Sequence, residues 1–309
     1  MQIVEKITAK INQIIAGASL VILGASFYFV YSLSRDYAQQ ETIQSLDTTL
    51  QLAKNLLEED EHHALSLSLL LSQDRSFLQA YYHKNRKRAF DILLQKINSI
   101  NQFQGYNFDI QVHDADLHTY LRSWDYNITN VPLASFREGL VKVKELKKPL
   151  VSIEVGKRLN IKAISPILKN GKFQGSIEVI ESFEHLRKKL EEQGYALFVL
   201  LDKKYLNIAT TLKNHPLLSD RFILVNRLYD ANAFNSLKNE DLTKMQTYGY
   251  FMQDKFSFGY FQIKNFKKES LGYMVVATRN SMSMNAQAYH ERQGQAVKKL
   301  ETNAEVIIR

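Results

Sequence analysis

Tyr120, Arg122 and Trp124 occupy alternate positions of the run Tyr120-Leu121-Arg122-Ser123-Trp124, and alternate residues of a strand point to one face. A guanidinium between two aromatic rings can take a carboxylate bidentately while the rings cover an apolar ligand body. The same spacing also suits an arginine that caps its own sheet edge or stacks on Trp124 by a cation–π contact. Glu154 stands between Ile153 and Val155, and Glu178 between Ile177 and Val179. Turned inward, these carboxylates answer a ligand ammonium group or hold Arg122 and Arg137 by buried pairing. Turned outward, they are solvated positions on a half-buried sheet. Arg137, on the first turn of an expected helix, can swing over such a pocket as a lid or sit in solvent. His113, on the strand that opens this region, lines the same site or is a structural histidine. These seven residues form the candidate ligand-binding set.

Other chemistry finds little support. Glu58 and His62 are one helical turn apart, a spacing that can hold zinc, but no third ligand accompanies them and a solvated helix face explains them as well. Lys84-Asn85-Arg86-Lys87-Arg88 is a basic cluster without interleaved aromatics for stacking on bases. There is no Gly-rich phosphate loop, serine elbow or paired-carboxylate hydrolase signature. The chain has no cysteine, which removes disulfides, thiolate metal sites and cysteine nucleophiles together. Its net charge of +8 is scattered rather than clustered. No enzyme, cofactor, metal or nucleic-acid partner is therefore expected, while attraction to anionic lipid or cell-wall polymer stays open.

The elements that must position the candidate set begin with an apolar run. Ile14 to Leu33 carries no charge across twenty residues, enough at ~1.5 Å per residue to cross the ~30 Å hydrocarbon core of a bilayer. Lys6 and Lys10 precede it, which favours a cytoplasmic N-terminus and an exported remainder. The run exceeds the apolar core of a cleaved signal, and Tyr28-Phe29-Val30-Tyr31 stands where a small-residue cleavage site would be, so an uncleaved anchor is expected. From Ile43 apolar residues step in threes and fours through Leu46, Leu50, Ala53, Leu57, Ala64, Leu67 and Leu71, the stripe of a long amphipathic helix. Continuous from the anchor to Ser72, it would be about 55–60 Å long, a stalk. Its near-heptad stripe suits either packing on its own domain or a dimer seam with a second copy.

Asp74-Arg75-Ser76 predicts a helix restart, and Ala89 to Ile100 a further amphipathic helix ending near Gly105. The period then changes to two. Strands are expected at 108–112 and 120–124, at 150–155, 160–168 and 173–181, with a tight hairpin at Asn170-Gly171 and a helix from Ser135 through Lys147 capped by Ser135. After a helix closed by Gly194 the pattern restarts: a strand at 195–201, a turn at 202–204, a return strand at 205–210. Gly175-Ser176-Ile177-Glu178-Val179 also parallels Gly272-Tyr273-Met274-Val275-Val276. Two repeats of one α+β module are implied, followed by a helix from Ser281 to Arg309.

Five segments sharpen this: Tyr120-Leu121-Arg122-Ser123-Trp124, Leu133-Ala134-Ser135-Phe136-Arg137, Ile153-Glu154-Val155-Gly156-Lys157, Ile164-Ser165-Pro166-Ile167 and Gly175-Ser176-Ile177-Glu178. In this order and spacing, over about residues 34–282, the chain resembles the double Cache sensor domains of bacterial chemoreceptors, sensor histidine kinases and diguanylate cyclases. The resemblance implies an α+β fold in which a long N-terminal helix precedes two PAS-like modules with antiparallel sheets and a C-terminal helix. It implies boundaries at 1–13 (cytoplasmic N-terminus), 14–33 (transmembrane anchor), 34–102 (stalk and helical cap), 103–194 (membrane-distal, ligand-binding module), 195–280 (membrane-proximal module) and 281–309 (exit helix toward a second span). It also implies a non-catalytic sensor in the bacterial inner membrane, residues 35–309 periplasmic, that binds an amino acid, organic acid or amine through the candidate set, forms a homodimer through the stalk, and continues into an output module. Only Arg122 and Trp124 match the aromatic motif of amino-acid-binding members, so the ligand class stays open. The alternatives are a membrane-tethered interaction or adhesion protein, and an anchored hydrolase.

Overall fold

The computed structural model describes residues 2–104, 107–253 and 255–280. The expected exit helix from Ser281 and the expected helix end at Gly105 lie outside these. Two compact units are present, residues 1–48 and 49–309. The first is helical, the N-terminal part of α1 (Gln2–Ser72). No side chain from 14 to 33 is buried, and the helix from Ile14, whose mean hydropathy reaches 2.0 over 18 residues, is long and apolar enough to cross a membrane.

The second unit is α+β. Its part of α1 contributes Leu50, Ala53, Ala64 and Leu71 to a core, the expected three- and four-residue stripe. After it come α2 (Arg75–Tyr82) and α3 (Arg86–Gln104). Asp74 caps α2 by accepting from the Phe77 N–H at 2.9 Å, the restart the sequence signals. Then follow β1 (Phe108–Asp114), β2 (Thr119–Arg122), α4 (Glu138–Leu146), β3 (Leu150–Val155), β4 (Leu159–Lys169), β5 (Lys172–Glu181) and α5 (Glu184–Glu191). The strands form one antiparallel sheet in the order β2-β1-β5-β4-β3. Asn170 (φ 52°) and Gly171 (φ 73°) close the β4–β5 hairpin as a two-residue turn with both φ positive.

A second antiparallel sheet, ordered β7-β8-β6-β11-β10-β9, is built from β6 (Ala196–Asp202), β7 (Leu217–Leu218), β8 (Phe222–Leu224), β9 (Tyr248–Met252), β10 (Phe256–Lys264) and β11 (Ser270–Arg279), with α6 (Ala231–Lys238) between β8 and β9. The repeat shows in the register. Gly175 of β5 faces Asp114 of β1, and Gly272 of β11 faces Leu201 of β6. A side chain at either glycine would collide with a carbonyl oxygen of the neighbouring strand, His113 or Leu200.

Three expected elements differ. The strand at 205–210 is absent: Asp202 accepts from the Lys204 N–H and starts a 3-10 turn over Lys203–Tyr205, so the partner of β6 is β8, a dozen residues further on. β2 stops at Arg122, because the Ile110 N–H that would continue the ladder donates to the Ser123 hydroxyl at 3.0 Å instead of its carbonyl, and Trp124 leaves the sheet. Ser135 caps no helix; α4 starts at Glu138 with Arg137 as its N-cap residue, and no side chain bonds the cap.

Period-two alternation divides each sheet into two faces. In the first, Ile110, Val112, Ile161, Ala163, Ile177 and Val179 join the core that holds the α1 stripe. In the second, Leu197, Val199, Phe261, Ile263, Met274 and Val276 join the same core. Burying these rows in one cluster is the main apolar contribution to the unit, at ~25 cal/mol per Å² of apolar surface. The opposite faces diverge. The second sheet fills its own with Phe198, Leu200, Phe258, Tyr260, Tyr273 and Val275 under α6, whereas the first presents polar and charged groups.

Candidate functional site

Cross-strand pairing assembles that polar face. Gln111 of β1 stands opposite Arg122 of β2 on one side and Glu178 of β5 on the other, and His113 stands opposite Thr119 and Ser176. On β4, Ile164 faces Glu178, while Ser152 of β3 faces Lys162 and Glu154 lies two residues on. Directly opposed residues share a face. All of Gln111, His113, Thr119, Arg122, Ser152, Glu154, Lys162, Ser176 and Glu178 are buried, although burying charge without pairing is costly.

Arg137 provides the pairing. As N-cap residue of α4 it reaches back over the sheet: its guanidinium takes Glu178 with both terminal nitrogens, Nη1–Oε2 at 3.3 Å and Nη2 to Oε1, and Nη2 also lies 3.4 Å from Glu154 Oε2. Ser152 donates to Glu154 Oε1 at 3.2 Å. Arg137 is 5 % exposed, so it is neither lid nor solvated group; it is the centre of the cluster. Both carboxylates point inward. Burial pushes the Glu178 carboxyl up, but Arg137, Lys162 and His113 outweigh burial and hold it at about 2. Burial likewise lowers the Arg137 guanidinium's affinity for its proton, and Glu178 and Glu154 raise it by more. Burial brings Lys162 down to about 8.

His113 is fully buried. Its Nδ1 is 3.0 Å from Ser176 Oγ, and its Nε2 is 3.6 Å from Glu178 Oε2 without a hydrogen bond. Burial pushes it down to about 3, so at neutral pH it is an uncharged imidazole. Arg122 is only 9 % exposed, with a long 3.5 Å contact from Nη2 to Thr119 Oγ1 and its guanidinium 5.6 Å from the Trp124 ring. Burial lowers its proton affinity, opposed by Asp125 and Glu178. The cation–π arrangement is present, but Trp124 is 48 % exposed and stands at the rim.

Tyr120 departs from the expected face. The β1–β2 register shifts between Val112 and His113, and a bulge residue leaves the alternation of its strand. Tyr120 therefore packs on the other side, edge-on to Tyr81 of α2 at 4.9 Å. Six of the seven candidate residues thus lie on or beside the polar face, and Tyr120 does not. Lys162, Gln111 and Ser176 join it, though nothing singled them out in the sequence. Lys162 was visible in principle as the polar member between Ile161 and Ala163, two residues after Asn160.

Two features fit a ligand rather than a finished core. Among the buried groups, Arg122, Arg137 and Lys162 outnumber Glu154 and Glu178 by one, and the further counter-charge that Arg122 feels is the half-buried Asp125 beyond the end of β2. Arg122 Nε, Arg137 Nε and His113 Nε2 are all buried without a hydrogen-bond partner, and a buried donor left unmade costs about 1–3 kcal/mol. The second sheet has no such cluster among the described residues; its buried polar side chains Asn226 and Ser257 are hydrogen bonded to the Leu197 carbonyl and to Asn280. No group of three or more histidine, cysteine or carboxylate side chains able to hold a metal ion occurs among the described residues.

A family model described as the double sensory domain of two-component sensor kinases matches residues 39–289. Among solved structures, the chain is similar to the sensor domain of the V. cholerae histidine kinase DctB, at 12 % identity over 78 % of this chain and 98 % of that one, with a TM-score of 0.46. It is similar to a domain of a sensory box/GGDEF family protein from Vibrio parahaemolyticus (17 %, 80 % and 98 %, 0.46). It is also similar to the ligand-binding domain of a Campylobacter jejuni chemoreceptor in complex with L-valine (12 %, 80 % and 95 %, 0.45). No curated protein sequence matches the chain.

Proposed function

Because this chain belongs to the double Cache family of sensory domains, we propose that it is the sensing region of a bacterial membrane receptor, with its small-molecule site on the polar face of the first sheet. The observation that carries this reading is the set of buried, unpartnered nitrogens, the Nε–H donors of Arg122 and Arg137 and the Nε2 of His113, beside an excess of one cation over carboxylates among the buried groups. A carboxylate supplies the missing acceptors and the missing charge at once. The ligand is accordingly a small carboxylate, an amino acid or organic acid, with Glu154 within reach of an ammonium group where the ligand has one. Trp124 at the rim covers the apolar part. An amine without a carboxylate would add a further cation to a face whose buried groups already carry one cation more than carboxylates.

Residues 14–33 anchor the receptor in the inner membrane, with residues 1–13 on the cytoplasmic side and residues 35–309 in the periplasm. Ligand binding favours one packing of the first sheet against the 49–72 part of α1 and shifts that helix by an ångström or two in a homodimer, a change of population between two packings. The output module follows this chain. The aromatic face of the second sheet serves as a packed spacer.

A thermal-shift panel of amino acids, organic acids, amines and purines on the full chain in detergent tests the ligand class. At ~100 times its Kd the matching carboxylate is expected to add ~2.7 kcal/mol of stability. Stabilisation by amines or purines with no response to any carboxylate would overturn the assignment.

A further inference from the structure

Two histidine–carboxylate pairs tie α1 to the corner where β5 ends and α5 begins. Asp60 of α1, 2 % exposed, lies 2.7 Å from His185 Nδ1 of α5, and His63 Nδ1 of α1 lies 3.0 Å from Glu181 Oε1 at the end of β5. Glu181 is also 2 % exposed. The two pairs are one turn apart on the helix and electrostatically joined, since Asp60 feels both Glu181 and Glu59 while His63 feels Asp60 and Glu59. Glu61 stands beside Asp60 on the same helix. Asp60 Oδ2 is buried with no hydrogen-bond partner.

We propose that this corner is a proton-operated latch that grips α1 more firmly as the surroundings acidify and loosens it as they turn alkaline. The proposal rests on the two pairs alone and stands whether or not the carboxylate site above is correct. Chemically, the corner holds more acid than base: Glu59, Asp60, Glu61 and Glu181 against two imidazoles. Without a bound proton the buried carboxylates of the corner repel one another; a proton held in a pair turns its contact into a charge-assisted hydrogen bond.

The direction agrees for all three groups that shift, since burial, with Glu58 and Asp60 adding to it, raises the Glu61 carboxyl to about 7. Burial, with help from Glu181 and Glu59, raises the Asp60 carboxyl to about 6 against the pull of His185. Its hydrogen bond to Glu181 raises His63 against burial. Each binds its proton more tightly when α1 is docked, so the docking free energy falls as pH rises from about 4 through 6 for Asp60, and above 6.5 for His63. The latch lies on the helix that leads to the membrane, so external pH biases the same element a ligand would move.

The test uses the full chain in detergent with isotope-labelled histidine, His63→Gln supplying the assignment. The His63 ring should titrate above the ordinary value of about 6.5; a midpoint at or below it overturns the latch. Hydrogen exchange across residues 49–72, corrected for intrinsic rate, should speed up several-fold between pH 5 and pH 7.5. The difference should vanish in the Asp60→Asn, His63→Gln double variant. Exchange that is independent of pH in the unaltered chain would equally overturn the proposal, and that readout does not depend on any variant folding.

Discussion

Replacing Arg137 with alanine is expected to destabilise the first sheet by about 3–5 kcal/mol, because it strands two buried carboxylates without their partner. Glu178 has no solvent to fall back on, and Lys162 cannot reproduce the two-pronged contact that the guanidinium makes from the α4 N-cap. The pH response gives the sign. In the unaltered protein the Glu178 carboxyl, held at about 2 where its unfolded value is near 4.5, contributes stability that is fully present above pH 4.5 and lost as pH falls toward 2. In Arg137→Ala the same carboxyl is buried without its main counter-charge and binds a proton more readily. The variant should therefore recover part of its stability between pH 7 and pH 5, where the unaltered protein gains nothing from this group. Thermal midpoints across that range measure both effects. A loss below about 1 kcal/mol would mean that Arg137 does not hold the cluster together.

Arg122→Ala should behave in the opposite way. Arg122 makes only a long contact to Thr119 and a face-on approach to a half-exposed tryptophan, so folding loses little when it goes. Ligand binding loses its uncompensated charge and at least one donor, an effect of about 2–4 kcal/mol, or ~30–1,000-fold in Kd. Titration calorimetry with the carboxylate that stabilises the protein best, alongside a thermal melt without ligand, separates the two effects. Equal losses in binding and in ligand-free stability would make Arg122 a structural residue.

The contrast between these arginines was only partly visible in the sequence. Strand alternation around Glu154 and Glu178 located both carboxylates in β3 and β5, and Asn170-Gly171 fixed the hairpin between β4 and β5, because these signals act over a few residues. Which way the carboxylates point depended on Arg137, forty-one residues from Glu178, and no local pattern carries that distance. Ser135 was the better capping residue by type, yet α4 begins three residues later, where Arg137 reaches the acidic pair. Tyr120 was misplaced because a bulge in the β1–β2 pairing shifts one residue out of step, and sequence alternation assumes none. The stretch from Tyr205 to Thr210 alternates well enough for a strand, but the Asp202 side chain offers its backbone a tighter turn first. The latch at Asp60, His63, Glu181 and His185 was illegible for the same reason as Arg137, its partners being more than a hundred residues apart. The helix stripe from Leu50 to Leu71, repeated every few residues, was the easiest feature to read.

The most direct test of the central claim is a crystal or cryo-EM structure of the protein with its stabilising carboxylate bound. Density for the ligand is expected on the polar face of the first sheet, among residues 108–180, with a carboxylate oxygen within hydrogen-bonding distance of Arg122 and the Arg137 Nε–H and His113 Nε2 both partnered. Ligand density between residues 195 and 280, with the first sheet's polar face unchanged, would contradict the account.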